Sequence, residues 1–409
     1  MPLEWRPHIY RKQSTVFQIL IVILVTFGMV ACVSAPREQE TAEYPRPGAL
    51  SSNFNEDEHL IYQNDASLLL QAVEVDGQMT LNTNRFKRSD LETISVFKSG
   101  YLPRRFEVQL REEITETPTY YPSVDTTFAV SDIEGNFNTL INLMQQNGVI
   151  DESLDWTFGS GHFVMIGDVF DRGNHVTEML WFLYRLEQQA LESGGYVHLL
   201  MGNHEALNLR GDLRYVEPKY LTFAKLTEAQ FGINYTMLFG NNTELGRWLR
   251  SKNVIEKIGD KIFVHAGISP ALVESGYSLE KINSLARKML DTPKVEFDGA
   301  DSLLWGTYGP YWYRGYFDVN RDSWGPRATQ ADVDQVLDHF EASQVVVGHT
   351  HVDKPELRYN NRICAINVVP PADHMISAPP RQAYGLLIKG SHFFIAGENG
   401  LLSEIGVTQ

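Results

Sequence analysis

The stretch HFVMIGDVFDRG, His162 to Gly173, runs an uncharged apolar segment into a loop of glycines, aspartates and an arginine. Four junctions of the same kind occur in the chain. TFAV precedes SDIEGN (Ser131 to Asn136), YVHLLM precedes GNHE (Gly202 to Glu205), KIFV enters VHAG (Val264 to Gly267), and QVVV precedes GHTH (Gly348 to His351). A short apolar run bounded by Gly and Asp reads as a buried strand that ends in a loop. Open α/β folds place their ligand sites at such ends. Apolar residues recur at helical spacing between the junctions: Val176, Met179, Leu180, Leu183 and Leu186; Leu279, Ile282, Leu285 and Met289; Val333, Val336, Leu337 and Phe340. Strands alternating with helices predict an α/β protein with a mostly buried sheet.

The five loops offer Asp, Asn, Glu and His side chains. Two divalent metals need such oxygen and nitrogen ligands from several loops, with one carboxylate shared so that the ions sit ~3.5–4 Å apart. In this order the motifs read as a two-metal phosphoesterase, and over roughly the last two thirds of the chain they resemble the calcineurin-like metallophosphoesterases, which include the phosphoprotein phosphatases. Within that superfamily GNHEALNLRGDLRYV, Gly202 to Val216, is most similar to the bacterial Shewanella-like protein phosphatases. One position departs from the pattern. Where the family has Asp-x-His, this chain has Asp132-Ile133-Glu134.

The resemblance implies two packed mixed β-sheets flanked by helices, with residues 206–253 as a helical cap beside the site. It assigns Asp132 to metal 1, Asp168 to the bridge, and Asn203, His265 and His349 to metal 2. Side chains on an extended segment alternate faces, so Glu134 is expected to point with Asp132, and His351 with His349, which lets His351 join metal 1. A glutamate in place of a histidine favours harder ions, namely manganese, magnesium or ferrous iron over zinc, with manganese preferred. The bland alternative is a solvated Glu134. Taken singly, each ligand has an ordinary reading as well: a helix cap for Asp168, a turn for Asn203, a hydrogen-bonded histidine for His265.

A water bridging two metals has its pKa lowered towards ~7, which supplies a hydroxide nucleophile at neutral pH. By the family pattern His204 is then the general acid for the leaving oxygen, and Asp171 orients its imidazole. Arg172, and Arg314 in PYWYRGY, would hold the phosphate oxygens. The aromatic run WGTYGPYWYRGYF, Trp305 to Phe317, is either a buried plug or the wall of a substrate cleft.

With 409 residues, 43% of them hydrophobic, the chain can bury a sizeable core. Its net charge of -16 argues against nucleic acid as a partner, because a phosphate backbone is repelled at long range. Two cysteines exclude a disulfide framework, and Cys364 in RICAINVV reads as a small buried hydrophobe. Cys32 has another context. Arg6, Arg11 and Lys12 precede an uncharged run from Val16 to Ala31, and Ala31-Cys32 resembles a bacterial lipoprotein processing site, with Met29 where leucine is usual. Residues 1–32 are thus expected to be a lipoprotein signal, with Cys32 acylated and the protein exported to face the periplasm from a bacterial envelope membrane. An uncleaved anchor is the competing reading, although the run is shorter than the ~20 residues of a typical span.

Residues 33–55 read as a tether, 56–122 as a small β-rich extension, and 123–409 as the catalytic domain. Phosphorylated proteins or peptides are the expected substrates. Small phosphomonoesters or envelope precursors are the alternative, and a non-catalytic binding lipoprotein is a third reading.

Overall fold

The computed structural model describes residues 57–75, 78–98, 104–368 and 382–406. The signal expected over 1–32, Cys32 and the tether lie outside the described residues.

Two six-stranded mixed sheets carry the motifs. In the first, Thr126–Val130, His162–Met165 and Tyr196–Leu199 pair in parallel, and Tyr384–Lys389, His392–Gly397 and Leu402–Glu404 continue the sheet antiparallel. The second runs Glu356–Arg358, Ile363–Ala365, Gln344–Val347, Lys261–Val264, Ile255–Ile258, Tyr120–Tyr121, with Lys261–Val264 parallel to Gln344–Val347. Each motif leaves the C-terminal end of a parallel-paired strand. Ala129, Val164 and Leu386 of the first sheet share a buried cluster with Phe263, Val346 and Cys364 of the second, so the sheets pack face to face. Their neighbours Phe128, Val130, Phe163 and Met165 pack in the other cluster, with the helices. Burial on both faces is why these strands read as unbroken apolar runs. A polar chain crosses the intersheet core: His198 Nδ1 lies 2.6 Å from Glu256 Oε2 and His198 Nε2 lies 2.9 Å from His162 Nδ1.

Helices Val176–Glu192, Leu279–Asp291 and Gln330–His339 form where the apolar spacing predicts them. The first is buried nearly all round, because the N-terminal extension covers the face that would otherwise meet water. That extension is a three-stranded antiparallel sheet (Glu58–Gln63, Ala66–Val75, Gln78–Lys87) and a two-stranded one (Thr93–Lys98, Arg104–Gln109). Trp181 Nε1 donates to the Glu58 carbonyl at 2.9 Å, and Phe106 packs edge-on against Phe182. Tyr120–Tyr121, at the end of the same sequence segment, is instead the edge strand of the second catalytic sheet.

The cap comprises helices Asn203–Leu209, Pro218–Phe231, Tyr235–Leu238 and Glu244–Arg250. Pro218 starts its helix with a preset φ, and Gly232, at φ +70°, ends it in the left-handed region. The extension grips this cap. Tyr62 donates its N–H to the Asn242 carbonyl and its hydroxyl to Glu244 Oε2, both at 2.7 Å.

Candidate active site

Asp168 is the hub on which four of the motifs converge. Its Oδ1 accepts the His204 N–H at 3.0 Å, and its Oδ2 lies 3.2 Å from His265 Nε2. Asp168, His265 and His349 each bring a donor atom within 4.8 Å of the others, and so do Glu134, Asp168 and His204. Asn203 Oδ1 lies 2.9 Å from His265 Nε2, and Asp132 Oδ2 accepts the His349 N–H at 3.0 Å.

A residue the sequence did not single out sets this geometry. Glu205 is fully buried; its Oε2 accepts the N–H groups of Gly202 and Asp168 at 2.7 and 2.9 Å, and its Oε1 those of Val169 and Phe170 at 2.6 and 3.3 Å. One carboxylate thereby fastens the GDVFDRG loop to the GNHE helix with charge-assisted bonds. The signal in the sequence is a glutamate three residues into the helix that starts after Gly202, a spacing from which its carboxylate reaches back to the Gly202 N–H. Gly167 permits the approach: at φ +73°, a side-chain carbon there would lie 2.6 Å from Gly202 N.

Asp132, Glu134, Asp168, Asp171, Arg172 and His349 all have φ between +49° and +74°. The left-handed region costs an ordinary residue ~1–2 kcal/mol, and its concentration here marks loops curled by the packing around them. It also removes the premise that the Asp132–Glu134 and His349–His351 segments are extended. Glu134 still arrives beside Asp168 and His204. His351 is exposed and lies outside both three-residue groups.

Divalent ions fit the donors present. His349 Nε2 is buried without a hydrogen-bond partner, while burial, with Arg314 and His265 nearby, holds the ring pKa well below its usual value. A neutral imidazole with an unshared ring nitrogen is a metal ligand in waiting. Burial, together with the Asp168 carboxylate, pushes the Asp132 carboxyl up to about 7. At His265 burial opposes charge, yet Asp168 outweighs it and raises the pKa to about 9, so this corner of the site favours positive charge. Asp168, Asn203, His265 and His349 would hold one ion; Asp168, Asp132 and Glu134 would hold the other.

His204, one of the donors grouped with Glu134 and Asp168, is paired with Asp171. His204 Nδ1 lies 2.5 Å from Asp171 Oδ2; Asp171 Oδ1 accepts Asn208 Nδ2 at 2.9 Å, and Asn208 Oδ1 accepts the Tyr235 hydroxyl at 2.7 Å. Burial works against charge on His204, but Asp168 and Asp171 outweigh it and raise its pKa. Arg172 donates from Nη1 to Glu134 Oε1, and that nitrogen lies 3.4 Å from His204 Nε2. Arg314 donates to Thr350 Oγ1 at 3.0 Å, one residue beyond His349. In the aromatic run Tyr311, Tyr313, Tyr316 and Phe317 are buried as a plug, whereas Trp312 is half-buried with its ring 5.7 Å from that of His349.

The sequence profile of the calcineurin-like phosphoesterases matches residues 126–353, more than half of the chain and all five motif loops. The chain belongs to this family. Calcineurin-like phosphoesterases are metal-dependent enzymes, which accords with the donors around Asp168. The chain is similar to Shewanella-like protein phosphatase 1 of Plasmodium berghei (28% identity over 230 residues, 54% of this chain and 60% of that one). It is also similar to Shewanella-like protein phosphatase 2 of Arabidopsis thaliana (28% over 235 residues, 48% and 57%). It thus spans less than two thirds of the length of either relative. Among solved structures it resembles the cold-active protein-tyrosine phosphatase of a psychrophilic Shewanella species, at 33% identity and TM-score 0.71, covering 85% of this chain and 98% of that one.

Proposed function

We propose that this calcineurin-like phosphoesterase is a phosphomonoesterase that acts on phosphorylated proteins or peptides outside the cytoplasmic membrane. The observation that carries the reading is the His204–Asp171 pair, with His204 and Glu134 gathered on one side of Asp168 and His265 and His349 on the other. When bound, two divalent ions would activate water and polarise the phosphoryl oxygens. Asp171 holds His204 by Nδ1, so Nε2 faces the substrate and delivers a proton to the leaving oxygen. Arg172 and Arg314 bind the remaining phosphate oxygens, and Glu134 keeps Arg172 in place until substrate arrives.

The likeness to Shewanella-like protein phosphatases and to a protein-tyrosine phosphatase supports a phosphoprotein substrate. Small phosphomonoesters are the second reading, favoured by the exported address that Cys32 suggests. Manganese is the proposed metal, because carboxylates outnumber imidazoles at the Asp132–Glu134 side. The test is a panel of phosphopeptides, nucleotides and sugar phosphates with the soluble domain and defined metals. Phosphopeptides turned over best supports the proposal; turnover restricted to small esters overturns it in favour of the second reading.

A further inference from the structure

Beside His204 stands an aromatic ring that the metal and phosphate chemistry does not use. Tyr215 is 42% exposed, and its ring centroid lies 5.2 Å from that of His204 at a tilt of 51°. Its backbone is pinned: the Tyr215 carbonyl accepts the Arg172 N–H at 3.1 Å. Its ring is flanked by two guanidiniums, Arg172 at 5.2 Å and Arg214 at 5.8 Å, and Arg214 is itself held by both oxygens of Asp212. A single exposed aromatic on a surface needs no explanation. This one is fixed against the proton donor.

The leaving oxygen must come within hydrogen-bond reach of His204 Nε2, since Asp171 occupies Nδ1. Whatever the oxygen is attached to therefore departs past a ring about one stacking distance from that imidazole, ring centroids in such pairs lying ~4.5–7 Å apart. An alkyl leaving group meets little there. A phenyl group finds a partly exposed ring to pack against as the phosphorus–oxygen bond breaks and the phenol oxygen takes the proton from His204. Resting on the phosphomonoesterase reading above, we infer that Tyr215 is the leaving-group wall of this site and makes it selective for aryl phosphates, phosphotyrosine among them. Aromatic packing of this kind is worth about 2- to 10-fold in rate.

The ring also supports Arg172, so its removal is expected to slow every substrate to some extent, and only a ratio isolates the wall. The experiment measures kcat/KM for phenyl phosphate and for glycerol 2-phosphate in the parent, Tyr215→Phe and Tyr215→Ala, each with metal content determined. Tyr215→Ala is expected to lower the phenyl-to-glycerol ratio about 3- to 10-fold, and Tyr215→Phe to keep it, because the phenyl ring remains. An equal loss on both esters in Tyr215→Ala, or no hydrolysis of phenyl phosphate by the metal-loaded parent, overturns the inference. A phosphotyrosine peptide assayed in parallel separates the two claims: peptide left intact while the ratio shifts sinks the phosphoprotein reading and leaves the wall standing.

Discussion

Asp171 Oδ2 sits 2.5 Å from His204 Nδ1, and Asn208 donates to the other Asp171 oxygen, so the imidazole is held from behind with Nε2 left on the side of Arg172, 3.4 Å from its Nη1. Asp171→Asn keeps the shape but offers an amide where a carboxylate accepted. The loss in kcat on phenyl phosphate is expected to be about 10²- to 10⁴-fold, the usual worth of a positioned proton donor. On 2,4-dinitrophenyl phosphate, whose phenolate leaves without a proton, the loss is expected to be much smaller. Equal losses on the two esters would mean that the pair does not deliver the proton.

Glu134 bonds to Arg172 and also stands in a donor group with Asp168 and His204. If it ligates, Glu134→Ala binds one ion less per chain, and Glu134→His recovers the ion with an optimum moved towards zinc. Metal analysis beside activity titrations with manganese and zinc checks this. Unchanged metal content in Glu134→Ala would leave Glu134 only its bond to Arg172.

Away from the site, Glu187 is buried with Lys252 Nζ 2.8 Å from both of its oxygens, Trp248 Nε1 at 2.7 Å and Arg111 Nη2 at 3.2 Å. Burial opposes its charge, but Lys252 and Arg111 prevail and hold the carboxyl down to about 2. A folded-state pKa below the unfolded one gives stability that is present above the usual carboxylate range and lost as pH falls. Thermal midpoints should therefore drop from about pH 4.5 towards about 2 more steeply in the parent than in Glu187→Gln. Lys252→Met leaves the buried Glu187 with Arg111 as its remaining ion-pair partner and should cost up to ~3–5 kcal/mol at neutral pH. Parallel pH profiles for parent and Glu187→Gln would refute the assignment.

Cys32 follows an apolar run with a basic flank, which motivates the proposal of an acylated, exported lipoprotein. Mass spectrometry of the mature N-terminus is expected to show a lipid-modified Cys32, with processing blocked in Cys32→Ser. Unchanged processing in that variant contradicts it.

The strands and the clustering of donor loops were legible because both impose local rules: strands buried on both faces must be apolar throughout, and candidate metal donors are confined to a few residue types. What escaped depends on contacts across the chain. Glu205 belongs to a motif, yet nothing in its neighbourhood says that it will collect amides from Val169 and Phe170, some 35 residues away. The bracing of the cap through Tyr62 and Asn242 has no local signature at all. Face alternation placed His351 with His349, but its premise of an extended segment does not hold, because His349 has φ +61° and curls the loop. Tyr215 lay inside the quoted Gly202–Val216 run, but its place beside His204 follows from how the cap folds back.

The central claim is that Asp168 is shared between two ions and that hydrolysis depends on both. Asp168→Asn, purified beside the parent, with metal content, circular dichroism and phenyl phosphate turnover measured on the same samples, tests it most directly. The account predicts about two divalent ions per parent chain. In the variant it predicts at most one ion, an unchanged fold and no detectable turnover. A folded Asp168→Asn that keeps both ions, or that hydrolyses the ester at a rate near the parent's, would contradict it.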